Sequence, residues 1–484
     1  MTVQNYKAII QKIKKEKIDY IELWFVDIFG ELHSLGMPSS AVTEHDLQNG
    51  FDKLDSSSIR GFGSIDESDV LLVPDVETFR ILPKDYDAVN RKNARMFVNI
   101  YRRDSSSSDT GSRYDKDSRG VCLKASEEIV KFGLSKALWG PEIEFFVFDK
   151  STISPIMNAI PPWKTKDTFE SDLSKSNDSV VVRKFKAGYY QAQPIDTLSE
   201  LRKDICDDLG RYFGIKVEAQ HHEVATDGQC EINIEYGNTM KIADDVVTIK
   251  NLTKVKAARL DKVATFMPKP IYGDNASAMH MHQSLWTKDD HNAMYDPDDK
   301  KTGLSQLARY YIGGILDHAG SLCAISNPTT NSYKRLVPGY EAPVYACWGV
   351  GNRSTAIRVP RSEKNNVNKK RIEFRVPDSA ANIYLLESAI LMAGLDGIKK
   401  KIDPGDPVQE NVYHLTPSQR RSLKIRTLPG TLKEALDFLQ NDNKFLKGIF
   451  AKSLLDTYLS IKYKEYEEFA QMPTSWEVFT YSRI

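Results

Sequence analysis

Val217-Glu218-Ala219-Gln220-His221-His222-Glu223-Val224-Ala225-Thr226-Asp227-Gly228-Gln229-Cys230-Glu231-Ile232-Asn233-Ile234 is the stretch whose reading organises the rest of the chain. Apolar and polar residues alternate up to Asp227-Gly228, a turn dipeptide, and alternate again beyond it, which is the pattern of a β-hairpin. Two histidines and the carboxylates Glu218, Glu223 and Glu231 occupy a ribbon that a fold half buries. Loop length decides where they point. A two-residue loop on Asp227-Gly228 pairs Glu223 with Ile232 and sends Glu223 and Glu231 to opposite faces. A three-residue loop from Thr226 to Gly228, with Gly228 left-handed in a bulge, sets Glu223 directly opposite Glu231. Opposed like charges repel. A cation between them removes that repulsion, and carboxylates with added water are suitable oxygen ligands for Mg²⁺. A solvated sheet face is the plainer reading of the same residues.

Other segments carry chemistry of the same kind. In Trp139-Gly140-Pro141-Glu142-Ile143-Glu144-Phe145-Phe146-Val147-Phe148-Asp149, Glu142 and Glu144 are two apart and share one strand face. The aromatic run beside them requires burial, so these carboxylates need a cation or an arginine partner. Asn275-Ala276-Ser277-Ala278-Met279-His280-Met281-His282-Gln283-Ser284-Leu285 places His280 and His282 on a common face. A lone histidine is ordinarily a satisfied core or surface group; a spaced pair beside a carboxylate hairpin suggests ligation. Arg371-Ile372-Glu373-Phe374-Arg375 alternates cleanly, with Arg371, Glu373 and Arg375 on one face and Ile372 and Phe374 toward a core. With Arg353 and Arg358 it brings several arginines near acidic residues. Surface ion pairs are the plainer account, and a bidentate clamp for phosphate and carboxylate the sharper one. Asn327 to Pro343, punctuated by proline and glycine, reads as a loop of the kind that often holds function. The chain has neither G-x-x-x-x-G-K-[ST] nor G-x-G-x-x-G after a strand, so a nucleotide would be held without a P-loop or Rossmann turn.

At 484 residues the chain exceeds one comfortable core, and two domains are expected. Ile18 to Ile28 alternates, breaks at Phe29-Gly30-Glu31 and resumes to Met37, a hairpin pattern, and a strand pattern at Met96 to Tyr101 closes this first region. Asp104 to Ser112 is low-complexity and serine-rich, the best linker candidate. The expected division is an N-terminal domain over 1–103, a flexible linker or insertion over 104–118, and a catalytic domain over 119–484. Helical patterns cover 119–132, 198–213, 240–266, 384–401 and most of 432–472. Lysine plus arginine, 66, equals aspartate plus glutamate, 66, which argues against a general nucleic-acid binder. No apolar run reaches membrane-spanning length, and Tyr6 to Lys17 is a lysine-rich amphipathic pattern without an apolar signal region. Cys122, Cys206, Cys230, Cys323 and Cys347 lack C-x-x-C spacing and read as reduced core thiols. The expectation is a soluble, cytoplasmic protein without a nucleic-acid or membrane partner.

In this order, Gly140-Pro141-Glu142-Ile143-Glu144-Phe145-Phe146, His221-His222-Glu223-Val224-Ala225, Asn327 to Pro343, and Arg371-Ile372-Glu373-Phe374-Arg375 resemble the type I glutamine synthetases, from the N-terminal hairpin to the C-terminal helices. The resemblance implies an α+β fold: an N-terminal β-grasp-like domain, then a larger catalytic domain with a curved antiparallel sheet, a half-barrel, and helices. It implies homo-oligomeric rings of six subunits, commonly stacked as a dodecamer, with sites between neighbours. Glutamate, ATP and ammonium are the implied partners, with ATP as co-substrate and two to three Mg²⁺ or Mn²⁺ per site. By the resemblance Glu144, Glu223 and Glu231 hold one metal, and Glu142, His280 and Glu373 the other. Arg335, Arg353, Arg358 and Arg375 match arginines that contact glutamate and phosphate, and Asn275 and Ala276 fall on the glutamate-binding loop. Glu218, Ser284, Arg358 and Arg371 match nucleotide contacts, Asp55 the acid that binds ammonium, and Glu341 the acid of a closing loop. Tyr413 matches a tyrosine that some bacterial relatives adenylylate; an exposed loop tyrosine is its plainer reading.

The reaction so implied is phosphoryl transfer from ATP to the γ-carboxylate of glutamate, then attack of ammonia on γ-glutamyl phosphate. Two alternatives stand beside it: a γ-glutamyl ligase that uses an organic amine such as a polyamine or ethanolamine, and a catalytically weak regulatory paralogue. The chain departs from the family at Asp55-Ser56-Ser57-Ser58 (usually Asp-Gly-Ser-Ser), at Asn275-Ala276-Ser277-Ala278 (usually Asn-Gly-Ser-Gly), and at Gly351, where an arginine is expected before Asn352. Ala276 adds a methyl where glutamate should lie, and with Ser56 is expected to shrink the acceptor pocket, favouring ammonium.

Overall fold

The hairpin expected near the N-terminus forms as β1 (Tyr20–Val26) and β2 (Leu32–Pro38), antiparallel, with Tyr20 opposite Pro38 and Val26 opposite Leu32. Asp27 makes the turn, its Oδ1 accepting from the N–H groups of Phe29 at 2.8 Å and Glu31 at 2.9 Å, local bonding that favours Asp in turns. This computed structural model describes residues 5–63, 68–103, 110–150, 184–338, 342–361 and 367–484. The lysine-rich N-terminal helix spans Tyr6–Lys15 and buries Ile13. Further strands are β3 (Phe51–Asp55), β4 (Asp69–Pro74), β5 (Arg80–Ile81), β6 (Asn93–Arg103) and β7 (Thr110–Arg113). They form a seven-stranded sheet of order β2-β1-β6-β4-β3, with β5 and β7 also along β6.

Within the segment read as a flexible linker, 110–113 forms a strand. Residues 104–109 lie outside the described residues, but Thr110–Arg113 returns to the sheet as β7. Arg113 fixes it there, with Nε 3.0 Å from Asp117 Oδ2 and Nη2 2.6 Å from Asn99 Oδ1.

The second sheet is built on the 16-residue strand β8 (Leu134–Asp149). Around it lie β9 (Val217–His222), β10 (Gln229–Ile234), β11 (Gly237–Asn238), β12 (Lys262–Thr265) and β13 (Met279–Thr287). A small ladder, β14 (Tyr345–Ala346) with a strand at Arg426–Thr427, stands apart; β15 (Trp348–Val350), β16 (Ile357–Val359) and β17 (Ile372–Phe374) complete the main sheet. Its order is β15-β16-β17-β13-β8-β10-β9, with β11 and β12 also along β8, and only β15–β16 runs parallel. The helical pattern at 240–266 proves to be two elements: a helix Thr239–Arg259 and then β12. Asp261, left-handed at φ 55°, breaks the helix, a conformation Asp tolerates better than most residues.

Helices Ser118–Glu128, Thr239–Arg259 and Ile383–Lys400 join the sheets, and one continuous apolar core runs through both regions. Asn382 shows how tightly. It caps the helix Ile383–Lys400, accepting from Tyr384 N, while its Nδ2 donates to Asp27 O at 2.8 Å and to Ser118 Oγ at 2.9 Å. Gly30, at φ +91°, passes so close that an added Cβ would sit 3.0 Å from Asn382 Cα. Among the described residues no helix is long and apolar enough to cross a membrane. None of the five cysteines is in a disulfide and four of them are buried, as reduced core thiols should be.

Candidate active site

Cross-strand pairing assembles a polar stripe on one face of the second sheet. Glu231 on β10 stands opposite Glu144 on β8 and His221 on β9. Glu142 on β8 stands opposite Asn233 on β10 and His280 on β13, and Glu373 on β17 is flanked by His282 on β13 and Arg358 on β16. The hairpin over 217–234 has neither expected register. Its strands end at His222 and begin again at Gln229, so Glu231 opposes His221 rather than Glu223. The longer loop is pinned by Thr226 N donating to Asp274 Oδ2 at 2.8 Å and Ala225 N to Gln229 Oε1 at 2.9 Å. Relative to the three-residue loop the register moves by two, and a shift of two conserves the face. Glu223 and Glu231 therefore still converge, and Gly228 is left-handed as expected, at φ 73°.

Two clusters result, and their electrostatics differ. In the first, His221 Nδ1 lies 3.6 Å from Glu223 Oε1 and its Nε2 3.7 Å from Glu231 Oε2, with Glu144 paired to Glu231 from the next strand. Burial and then the neighbouring Glu231 carboxylate push Glu144 up to about 8, against the pull of the Ala278 N–H and Arg335. Burial, then Glu144 and Glu231, push Glu223 up to about 10. In the second cluster the cations prevail. Burial works against ionisation of Glu142, but hydrogen bonds at 2.9 Å from His280 Nδ1 and from His282 Nε2 hold it well below the usual carboxylate range. Glu373, fully buried, is held down to about 2 by Arg375 and the two histidines; Arg358 Nη1 and Arg375 Nη1 each approach its carboxylate at 2.5 Å. Arg371 Nε donates to His282 Nδ1 at 3.1 Å, which fixes the tautomer and makes His282 Nε2 the donor to Glu142. His282 thus helps orient Glu142, and Glu142, His282 and Glu373 each offer a ligand atom within 4.8 Å of one another.

These groups face a cavity of about 960 Å³. Of the residues expected at the site, Glu142, Glu144, Glu223, Glu231, His280, Asn275, Ala276, Arg335, Arg353 and Arg375 line it. Arg335 is fixed by Nη1 to Val376 O at 2.6 Å and Nη2 to Arg375 O at 3.1 Å. Glu373 and Arg358 lie immediately behind the lining, and Ser284 is buried, accepting from Trp286 Nε1 at 2.9 Å. Glu218 is exposed at the outer end of β9, close enough to Arg371 to act on its charge. Glu341 lies outside the described residues.

Asp55 is not brought to this cavity, whose lining residues all come from position 142 onward. It stands exposed at the end of β3, where Oδ1 accepts from Ser57 Oγ at 2.7 Å and Ser57 N at 2.9 Å, and Oδ2 from Ser58 Oγ at 3.0 Å. The Ser57 bonds, then that from Ser58, hold the carboxyl below its usual range. Ser56 is fully buried in its own domain, so its hydroxymethyl does not narrow an acceptor pocket as expected; Ala276 does line the cavity.

Several lining residues, Tyr413 apart, carry no role in the sequence reading. Tyr189 and Tyr190 stack at 4.1 Å, with His221 edge-on to both. Tyr413 is half-buried rather than exposed, donating to Ala342 O at 3.0 Å. Arg361, Gln409 and Asn411 come from loops whose sequence carries no periodic signal. His221 lay in the quoted stretch, and its i, i+2 spacing from Glu223 was the available signal.

Comparison with known proteins matches two family models, one to each region of the chain. Residues 17–103 match the family described as "Glutamine synthetase, beta-Grasp domain" and residues 115–481 "Glutamine synthetase, catalytic domain". The chain is 44% identical to a glutamine synthetase of Sulfolobus acidocaldarius over 478 residues, 99% of this chain and 98% of the relative. It is 40% identical to one of Mycolicibacterium smegmatis over 473 residues, 96% and 95% of the two chains. The cryo-EM structure of Plasmodium falciparum glutamine synthetase superposes with a TM-score of 0.86 at 27% identity, covering 99% of each chain.

Proposed function

Because this chain belongs to the glutamine synthetase family, we propose that its cavity joins ammonia to the γ-carboxylate of L-glutamate, with cleavage of ATP to ADP and phosphate through γ-glutamyl phosphate. It is a ligase that uses ATP and a divalent metal. The observation that carries the site assignment is one cavity lined by both buried carboxylates and arginines.

The acids fit a divalent cation. Glu144, Glu223 and Glu231 are buried, and Glu144 and Glu223 are pushed toward the protonated form, which is what a carboxylate site shows before a cation offsets its charges. They would hold one Mg²⁺ or Mn²⁺; Glu142, His280 and Glu373 would hold a second. When bound, such ions neutralise phosphate charge as it develops in the transfer. Arg353, Arg358 and Arg375 bind and orient phosphoryl and carboxylate oxygens. Glu373 is at present satisfied by Arg358 and Arg375; an incoming phosphate that draws those guanidinium groups away frees its carboxylate for ligation. Glu218, Ser284 and Arg371 flank the nucleotide, and Asn275, Ala276 and Arg335 the glutamate. By the resemblance Glu341, which lies outside the described residues, would be the acid that helps exclude water, since water would hydrolyse the activated acyl group.

Asp55, held ionised by Ser57 and Ser58, suits capture of ammonium and removal of its proton before attack. Its distance from its own chain's cavity supports a site completed by a neighbouring copy, in hexameric rings that stack as a dodecamer. The test is ADP release by purified protein given glutamate and either ammonium or a panel of amines. Ammonium saturation with stoichiometric glutamine supports the reading; preference for a polyamine or ethanolamine would replace it with the amine-ligase reading. Absence of glutamate-dependent turnover would point to a regulatory paralogue.

A further inference from the structure

The position where an arginine is expected, 351, is glycine, and the structure shows what stands there instead. β15 and β16 run parallel with Val350 beside Val359, and Gly351 N donates to Val359 O at 2.9 Å, so the chain beyond β16 passes directly over Gly351. Gly351 is left-handed, at φ +68°. A Cβ built on it would lie 2.7 Å from Arg361 Nε, 3.1 Å from Cγ and 3.2 Å from Cδ. The shaft of Arg361 therefore lies along the bare backbone of Gly351, in space that any side chain at 351 would fill.

Both residues line the cavity, on the wall that also carries Asn352, Arg353 and Ser354. Four other arginines of the site are engaged: Arg335 with backbone carbonyls, Arg358 and Arg375 with Glu373, Arg371 with His282. Arg361 is exposed to the cavity and makes no hydrogen bond or ion pair among the described residues. A guanidinium seated by packing, with its donors unspent, is an oxyanion receptor in waiting.

We propose that Arg361 is a substrate-positioning residue of this cavity, its shaft lying along Gly351 and its guanidinium contacting a negatively charged oxygen of a bound substrate. The oxygen belongs either to a carboxylate of glutamate or to a phosphoryl group of ATP. The proposal rests on the ligase reading above.

The experiment measures kcat and KM for glutamate and for ATP separately, with melting temperature, in wild type, Arg361→Ala, Arg361→Lys and Gly351→Asn. Asn tolerates a left-handed backbone, so its side chain displaces Arg361 with little backbone strain. Losing a hydrogen bond to a charged group raises one KM by about ten- to hundredfold, with a smaller change in kcat and an unchanged melting temperature. Whichever KM rises identifies the oxygen. Arg361→Lys recovers part of the loss, Gly351→Asn reproduces it, and Gly351→Asn with Arg361→Ala is no worse than Arg361→Ala alone, as expected when both act on one contact. Both KM values within twofold of wild type in Arg361→Ala overturn the proposal. If wild type makes no glutamine the ligase reading fails instead, and titration calorimetry of glutamate and of ADP into wild type and Arg361→Ala then decides; equal affinities for both ligands overturn it.

Discussion

Replacing Glu231 by glutamine should move metal-free and metal-loaded stability in opposite directions. The side chain keeps its shape but loses a carboxylate from a cluster whose ligand atoms, on His221, Glu223 and Glu231, lie within 4.8 Å of one another. Two full charges at that spacing repel by about 3.5 kcal/mol at an effective dielectric constant of about 20. Less is realised in the metal-free protein, because Glu223 and Glu144, pushed up to about 10 and about 8, carry protons at neutral pH. Relief of about 1 kcal/mol is expected, a rise of roughly 1–3 °C in the metal-free melting temperature for a chain of this size. Cation binding loses an anionic ligand, and a loss of about 3 kcal/mol weakens Mn²⁺ or Mg²⁺ roughly a hundredfold.

The assay is differential scanning calorimetry of chelator-treated protein with and without Mn²⁺, together with titration calorimetry. In wild type, cation binding must expel the protons held by Glu144 and Glu223. At pH 7.5 about one or more protons per cation should appear, read from the heat in buffers of different ionisation enthalpy. Protons compete with the cation, so affinity rises with pH through the range of about 8 to about 10 set by those two groups. Mn²⁺ affinity within threefold of wild type in Glu231→Gln, with no proton release in wild type, would refute the assignment of this cluster as a cation site.

Mixed assembly tests the shared site: Asp55→Ala and Glu373→Ala should each be inactive, yet co-assembled rings should regain up to about a quarter of wild-type turnover per site, and verified mixed rings without activity would sink that idea. His318 is paired at 2.7 Å with Asp442 and 2.9 Å with Asp396; burial opposes its charge, but the two carboxylates raise its pKa above the usual value. A raised folded pKa gives stability that is complete below about pH 6.5 and fades as pH rises through the folded value, so His318→Gln should cost more at pH 6 than at pH 9 in urea unfolding. Glu387 is fully buried with neither carboxyl oxygen bonded among the described residues, and burial, then Asp244 and Asp245, push its pKa well up. The unfolded chain ionises it above about pH 4.5 while the folded one does not, which lowers stability as pH rises. Glu387→Leu should therefore stabilise by about 1–3 kcal/mol at pH 7, with the gain shrinking toward pH 4; destabilisation at pH 7 would show that an unseen partner holds the carboxyl.

What was legible in the sequence was parity, and what was not was register. Strand side chains alternate with a period of two, so Glu142 with Glu144, His280 with His282, and Glu373 with its arginines each had to share a face wherever their strands paired. The register of the central hairpin differs by two from that of a three-residue loop and the acids still meet, because an even shift conserves the face. A one-residue error would have dispersed them. Partner choice across the sheet, such as Glu231 against Glu144, needs strands more than 80 positions apart and has no local signature. The same limit hid the loop contributions. Arg361 lies beyond a proline, carries no periodic pattern and matters only because a glycine ten positions earlier leaves room for its shaft. Sequence showed that glycine as a missing arginine. Only the parallel pairing of β15 and β16 turns the vacancy into a seat, and a replacement that comes from a different position in the chain is invisible to any position-by-position reading.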